Sequence, residues 1–203
     1  AFSNNEVLFS VSLPSSLKII KKETFSYCEK LKYVFLPSSL ERIEENAFFA
    51  CVDLNYKIED GIKYLGTEDN PYLAMMSTTD EFYGESIIMG EETRVIYDSF
   101  GFIFNKEIKK IQLSNNIKRI PRFCFHYSKL LEIILPNNLV IIDDYGLAGC
   151  ESLSTIVIPK SVEYIGAYAF YNIKNVSIYL YKKYFEFLVS NKLDIDYGYF
   201  YHI

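Results

Sequence analysis

The sequence predicts a β-rich solenoid: short parallel strands stacked coil upon coil and joined by turns or 3₁₀ segments, with one β-hairpin insertion and a C-terminal capping helix. Three observations point there. A phrase of about 23 residues is rewritten along the chain, so that Phe35–Leu54 (FLPSSLERIEENAFFACVDL) is echoed by Val11–Leu31, Ile111–Leu130, Ile134–Leu153 and Val157–Val176. Within each copy an apolar residue (Leu13, Leu36, Ile88, Leu113, Leu135, Ile158) precedes an Ile or Val (Ile20, Ile43, Val95, Ile120, Ile142, Ile165) by a constant seven. An anchor follows in every copy: Phe25, Phe48, Phe100, Phe125, Leu147 and Phe170. A fixed period of this kind marks a repeat architecture, in which each unit buries its apolar face only against its neighbours.

Each element of the coil has a physical reason. Tyr33-Val34-Phe35-Leu36 alternates, Val34 and Leu36 on one side and Tyr33 and Phe35 on the other, which is the period of a strand. Pro37 ends that strand because it cannot donate to a ladder, and Ser38-Ser39 turns the chain. Leu40 and Ile43 form a second short extended segment, and Glu45–Phe48 reads as one tight turn. Stacked about 4.8 Å apart, such coils set Leu over Leu, Ile over Ile and Phe over Phe. The expectation is therefore a set of dry columns.

The column spacings are 23, 52, 25, 22 and 23, and the value of 52 marks an insertion over about 55–86. Gly61–Gly66 and Tyr72–Met76, separated by Thr67-Glu-Asp-Asn-Pro71, read as two strands about a polar turn, a hairpin standing off one side. The solenoid itself is expected over residues 1–180. Residues 181–203 form the cap: Phe185, Leu188 and Val189 fall at helical spacing, and an aromatic tail follows. At the other end, Ala1-Phe2 already occupies the anchor position, so the chain reads as part of a longer array.

Composition narrows the function classes. Half the residues are hydrophobic and 17% aromatic, which a disordered chain would not carry. A net charge of −5 without a basic run argues against a grip on nucleic acid or anionic lipid. No apolar run approaches the ~18 residues that a membrane span needs.

The coil VIPKSVEYIGAYAFYNI (Val157–Ile173) resembles the pattern xIPxxVxxIGxxAFxxC of the BspA-like leucine-rich repeats, the Treponema pallidum-type class. The resemblance covers roughly residues 1–54 and 87–180, and the insert is similar to hairpins that interrupt such arrays. Met89-Gly90 stands in place of Pro-Ser, and Leu147 in place of the anchor Phe. The resemblance implies a secreted or cell-surface protein that binds other proteins and is not an enzyme.

No residue constellation points to catalysis, and no cofactor or metal is expected. Cys28, Cys51 and Cys150 each lie three after an anchor, a spacing that suits a small buried slot in its own coil. A disulfide between stacked Cys28 and Cys51 is geometrically conceivable. His126 follows Phe125 at an expected surface turn, with no nucleophile pattern near it. Glu44-Glu45 and Asp143-Asp144 occupy matching turn positions and read as exposed charge, and Asn175-Val-Ser177 fits a glycosylation sequon at a strand start.

The strand face offers more. Its outward column reads Ser12, Phe35, Ile87, Gln112, Ile134, Val157 and Tyr179, rimmed by Ser10, Tyr33, Glu85, Lys110, Glu132 and Thr155. An apolar strip of this kind marks an interaction surface if exposed, or simple strand propensity if not. Tyr33, Phe35, Ile134 and Val157 are the expected protein-binding centre, with Tyr64 and Tyr72 on the hairpin as a second contact element. The partner class is a protein ligand on a host or neighbouring cell. The other reading is a structural spacer that presents a further domain and binds nothing itself. The oligomeric state is left open.

Overall fold

A computed structural model describes residues 2–98, 107–173, 177–180 and 199–202. They form two compact units, Ala1–Phe82 with Glu92–Ser99, and Tyr83–Glu91 with Phe100–Ile203. The expected capping helix over 182–190, the anchor Phe100 and most of the sequon lie outside the described residues.

In the first unit the predicted coil is built twice in plain form. Strands β1 (Ser10–Ser12) and β3 (Tyr33–Phe35) pair in parallel, with Val11 opposite Val34. The shorter β2 (Ile19–Ile20) and β4 (Arg42–Ile43) pair likewise, with Ile20 opposite Ile43. Equivalent residues 23 apart therefore sit directly over one another. The anchors follow suit: Phe2, Phe25 and Phe48 stack with centroids 5.5 and 5.4 Å apart and planes nearly parallel.

Polar atoms between coils are met in a repeating way. The Phe25 amide donates to the Ala47 carbonyl and the Tyr27 amide to that of Phe49. The thiols of Cys28 and Cys51 donate to the carbonyls of Phe2 and Phe25, at 3.0 and 3.1 Å. All four cysteines are buried free thiols. The column therefore favours Cys because a small apolar side chain fits there and its S–H meets a carbonyl. Ser39 closes the Pro-Ser-Ser turn by donating to Leu17 of the coil before. Positive φ recurs two residues before the anchor, at Glu23 and Asn46, and two after it, at Tyr27 and Ala50. These left-handed corners are what let so short a coil close.

The insertion differs from expectation. Strands β5 (Lys57–Glu59), β6 (Ile62–Leu65) and β7 (Ala74–Thr78) form an antiparallel sheet, which contains the two predicted strands. It does not simply stand off, because β7 runs on into a parallel ladder with a later strand, β9 (Val95–Ile96), setting Met75 opposite Ile96. The Leu73 carbonyl accepts from Arg94 and Val95 just as that of Lys18 accepts from Glu41 and Arg42. The apolar run Leu73–Met76 makes this favourable: all four side chains are buried, so the inserted segment supplies a layer of its own. Gly66 permits the tight return, since a Cβ there would lie 1.9 Å from the Asn70 carbonyl oxygen.

The second unit repeats the coil. Strands β8 (Ser86–Ile88), β10 (Lys110–Gln112) and β12 (Glu132–Ile134) form one parallel sheet. Strands β11 (Arg119–Ile120), β13 (Ile141–Ile142) and β15 (Tyr164–Ile165) form another. Strands β14 (Thr155–Val157), β16 (Ser177–Leu180) and β17 (Tyr199–His202) form a third, so the tail adds a parallel strand. Phe125, Leu147 and Phe170 are fully buried, and the Cys150 thiol donates to the Phe125 carbonyl.

One register in the sequence reading is off by a residue. Ile87, not Ile88, is the buried strand residue, at 2% exposure against 71%, and the buried column position that follows the strand is Met89. The outward column thus takes Ile88 opposite Gln112, and its rim takes Ser86 opposite Lys110. The cause is local: Ile87-Ile88-Met89 are all apolar, and Met89-Gly90 lacks the proline that marks the strand end in four of the other coils. Counted from Met89, the constant seven leads to Ile96, which is buried like its neighbour Val95.

Candidate functional site

The alternation of β3 points Val34 inward and leaves Tyr33 and Phe35 outward, at 37% and 42% exposure. Phe9 meets the Tyr33 ring edge-on at 5.6 Å, and the Lys32 ammonium lies 5.8 Å from its centroid. Next to this aromatic strip the insertion closes a groove of about 160 Å³ lined by Tyr33, Phe35, Asn55, Lys57, Gly66 and Pro71. Tyr33, Phe35 and the hairpin therefore line one place in the first unit.

The two hairpin tyrosines divide. Tyr64 is only 6% exposed and packs edge-on against Tyr72 at 5.3 Å, while burial pushes its phenol up to about 12. It cannot serve as the exposed contact expected of it, because β6 turns it into the apolar layer beneath. Tyr72 is half-buried; its hydroxyl donates to Glu59 at 3.0 Å and the Lys57 ammonium lies 5.7 Å from its ring. Tyr64 is thus a support under the groove.

Ile134 and Val157 come together in the second unit, 39% and 52% exposed. They line a groove of about 750 Å³ with Glu132, Asn137, Thr155 and Lys160. Its lining carries the charges of Glu132 and Lys160, and the Glu132 carboxylate lies 2.8 Å from the Lys110 ammonium on the neighbouring strand. Exposed pairs of this kind add little stability, but they orient polar groups around the apolar patch.

The sequence reading missed an aromatic ladder on the turns of the second unit. Phe123, Tyr145 and Tyr168 all adopt positive φ two residues before the anchor, and their rings stack at 4.9 and 5.1 Å. Arg122 covers the outer face of Phe123 at 4.8 Å. His126 packs between Phe123 and Tyr127, and burial lowers its pKa below the usual imidazole value. The signal was present, since these aromatics recur 22 and 23 residues apart. The chain uses Glu23 and Asn46 at the same corner in the first unit, so the column does not read as aromatic throughout.

Two ion pairs join a half-buried arginine to a buried carboxylate. Arg42 reaches Asp98 at 3.0 Å, and Arg119 reaches Asp143; each Arg precedes an Ile-column residue and meets a carboxylate one layer on. The matching acidic turn positions are not uniformly exposed charge, since Asp143 is buried. Among the described residues no group of three or more His, Cys, Asp or Glu could hold a metal ion, and no helix is long and apolar enough to cross a membrane.

Comparison with known proteins agrees with this architecture. No curated protein matches the chain. Among solved structures, the pneumococcal vaccine antigen PcpA superposes with a TM-score of 0.55 at 22% identity, covering 84% of this chain and 50% of that one. A leucine-rich cell-surface protein from Faecalibacterium prausnitzii superposes with a TM-score of 0.59 at 20% identity, covering 98% and 61%. At such identities the likeness establishes the fold alone, and this chain spans between half and about three-fifths of those two. The model of the BspA type leucine-rich repeat region matches residues 1–69 and 85–190 in six copies. The chain belongs to the BspA-type leucine-rich repeat family.

Proposed function

We propose that this chain is a non-enzymatic recognition module of a secreted or cell-surface protein, binding a protein ligand through its strand faces. The observation that carries the reading is the pair Tyr33 and Phe35, large aromatic rings held outward beside a groove when the same backbone buries Val34 and Leu36. Exposed aromatics at the centre of a patch with a polar rim are the residues in which binding energy concentrates. Ile134 and Val157 supply a second, aliphatic centre. The family is consistent with this role, and two solved relatives are named as a vaccine antigen and a cell-surface protein.

The test immobilises the chain, captures proteins from a surface extract of host or neighbouring cells, and repeats the capture with Tyr33→Ala/Phe35→Ala. The reading expects a specific ligand whose affinity falls at least tenfold in the variant at unchanged melting temperature. A ligand bound equally well by both forms removes the strip from the site.

A further inference from the structure

Two neighbouring coils of the second unit are joined on the Ile side and at the turns but not on the strand side. On the Ile side β13 and β15 are paired, and the Val140 carbonyl accepts from Glu163 and Tyr164. At the turns the amides of Tyr145, Leu147 and Gly149 donate to Ala167, Ala169 and Tyr171. On the strand side no ladder forms between β12 and β14: β12 is the edge of one sheet and β14 the edge of another, although their Cα atoms still approach within 8 Å.

The strands on either side show what is missing. Glu132 donates to Lys109 and Leu113 to Ile134 across β10 and β12; Ser177 donates to Ser154 and Ile158 to Tyr179 across β14 and β16. Backbone groups alternate sides along a strand. The N–H and C=O of Ile133 and the N–H of Leu135 therefore face the N–H and C=O groups of Thr155 and Val157 across the gap. Ile133 itself is buried, so these groups are partly shut off from bulk water. Shielded backbone polar groups without partners are costly, and this gap holds a row of them.

A groove of about 750 Å³, within the range of ligand pockets, runs along this gap, lined from both strands and walled by Ile134 and Val157. A slot with alternating donors and acceptors along both lips and β-branched walls matches an extended polypeptide and little else. We propose that the gap between β12 and β14 is a strand-insertion site, which takes an extended segment of a protein partner as an added strand. The inference rests on the strand-face reading above and names how one part of that face binds. Seating a strand means parting β12 from β14 to about 9.6 Å, twice the ordinary strand spacing. The bonded β13–β15 side serves as the pivot. Main-chain hydrogen bonds then carry the affinity, as in other strand-addition complexes.

The test needs no natural ligand. In the free chain, amide hydrogen exchange at Ile133, Leu135, Thr155 and Val157 is expected to be at least tenfold faster than at Glu132, Ile134 and Ile156. The probe is the capped peptide Ser154–Pro159 (STIVIP) on a short lysine tail; it should protect those four amides and shift their resonances. N-methylation of the probe at the positions of Ile156 and Ile158 removes two donors and should weaken binding roughly 30-fold. The variant Glu132→Cys/Thr155→Cys, oxidised, pins the lips together and should abolish binding, which reduction of the same sample restores. Equal protection of all these amides in the free chain overturns the proposal. So does absence of probe binding, or a probe that binds the pinned form as well. If the pinned form keeps a captured ligand that Tyr33→Ala/Phe35→Ala loses, the slot fails and the strand-face reading stands. If neither change affects capture, both fail.

Discussion

Replacing Phe25 with Ala removes the central ring of a three-ring stack, and its cost follows from the layering. Phe25 has no solvent exposure and lies between Phe2 and Phe48, with centroids at 5.5 and 5.4 Å. Phe→Ala in a core costs about 3–5 kcal/mol from lost transfer energy and the cavity left behind. Each aromatic pair adds about 0.5–1.5 kcal/mol, and here two pairs are lost, so the effect should sit near the top, about 4–5 kcal/mol. In a chain of this size that lowers the melting temperature by roughly 8–20 °C. Phe25→Leu should cost only about 1–2 kcal/mol, because the column already accepts Leu147 fully buried. Phe2→Ala should cost less than Phe25→Ala, since Phe2 is half exposed and stacks on one side only. Urea unfolding followed by far-UV circular dichroism and tyrosine emission measures all three, the chain having no Trp. Hydrogen exchange checks whether the transition is one step, which repeat arrays do not guarantee. Equal losses for Phe25→Ala and Phe2→Ala would refute the layered account.

Other outcomes follow from single features. Gly66→Ala forces a Cβ onto the Asn70 carbonyl; a loss of at least ~2 kcal/mol is expected in thermal melts, and a neutral substitution would disprove the tight return. Arg42→Met deprives the buried Asp98 carboxylate of its guanidinium and should cost about 2–4 kcal/mol in denaturant titration, more than removal of the exposed Lys18–Glu41 pair. Burial raises the Cys51 and Cys150 thiols to about 11 and about 12. The folded chain therefore binds protons that the unfolded chain releases above about 8.5, so this contribution to stability is whole below that pH and is lost as the pH climbs toward 11–12. Ellman's reagent at pH 8 should leave both thiols unmodified until denaturant is added, and fast native reaction would contradict their burial.

The period, the columns and the turn chemistry were legible in the sequence, because every coil repeats the same local solution. Among the described residues the anchors, the free buried cysteines and every strand end but that at Ile88 stand where spacing placed them, within each unit. The outward strip was legible too, since alternation alone turns Tyr33, Phe35, Ile134 and Val157 away from the core. Legibility failed where a coil lost its punctuation and the residues around it gave no polar–apolar contrast. Without a proline after Met89, Ile87 and Ile88 are both acceptable apolar strand residues, and only the ladder with Ile111 and Gln112 chooses between them. The insertion likewise reads as a hairpin by its turns, but whether β7 stands apart or enters the layers depends on what Leu73–Met76 find to bury against. That is a question of neighbours distant in sequence. It also decides that Tyr64 supports the groove from beneath, and that β12 and β14 stay unjoined while their coils are bonded on the Ile side and at the turns. Local sequence determines what each coil is, whereas the fit between coils, a property of pairs of segments some two dozen residues apart, is settled only when they meet.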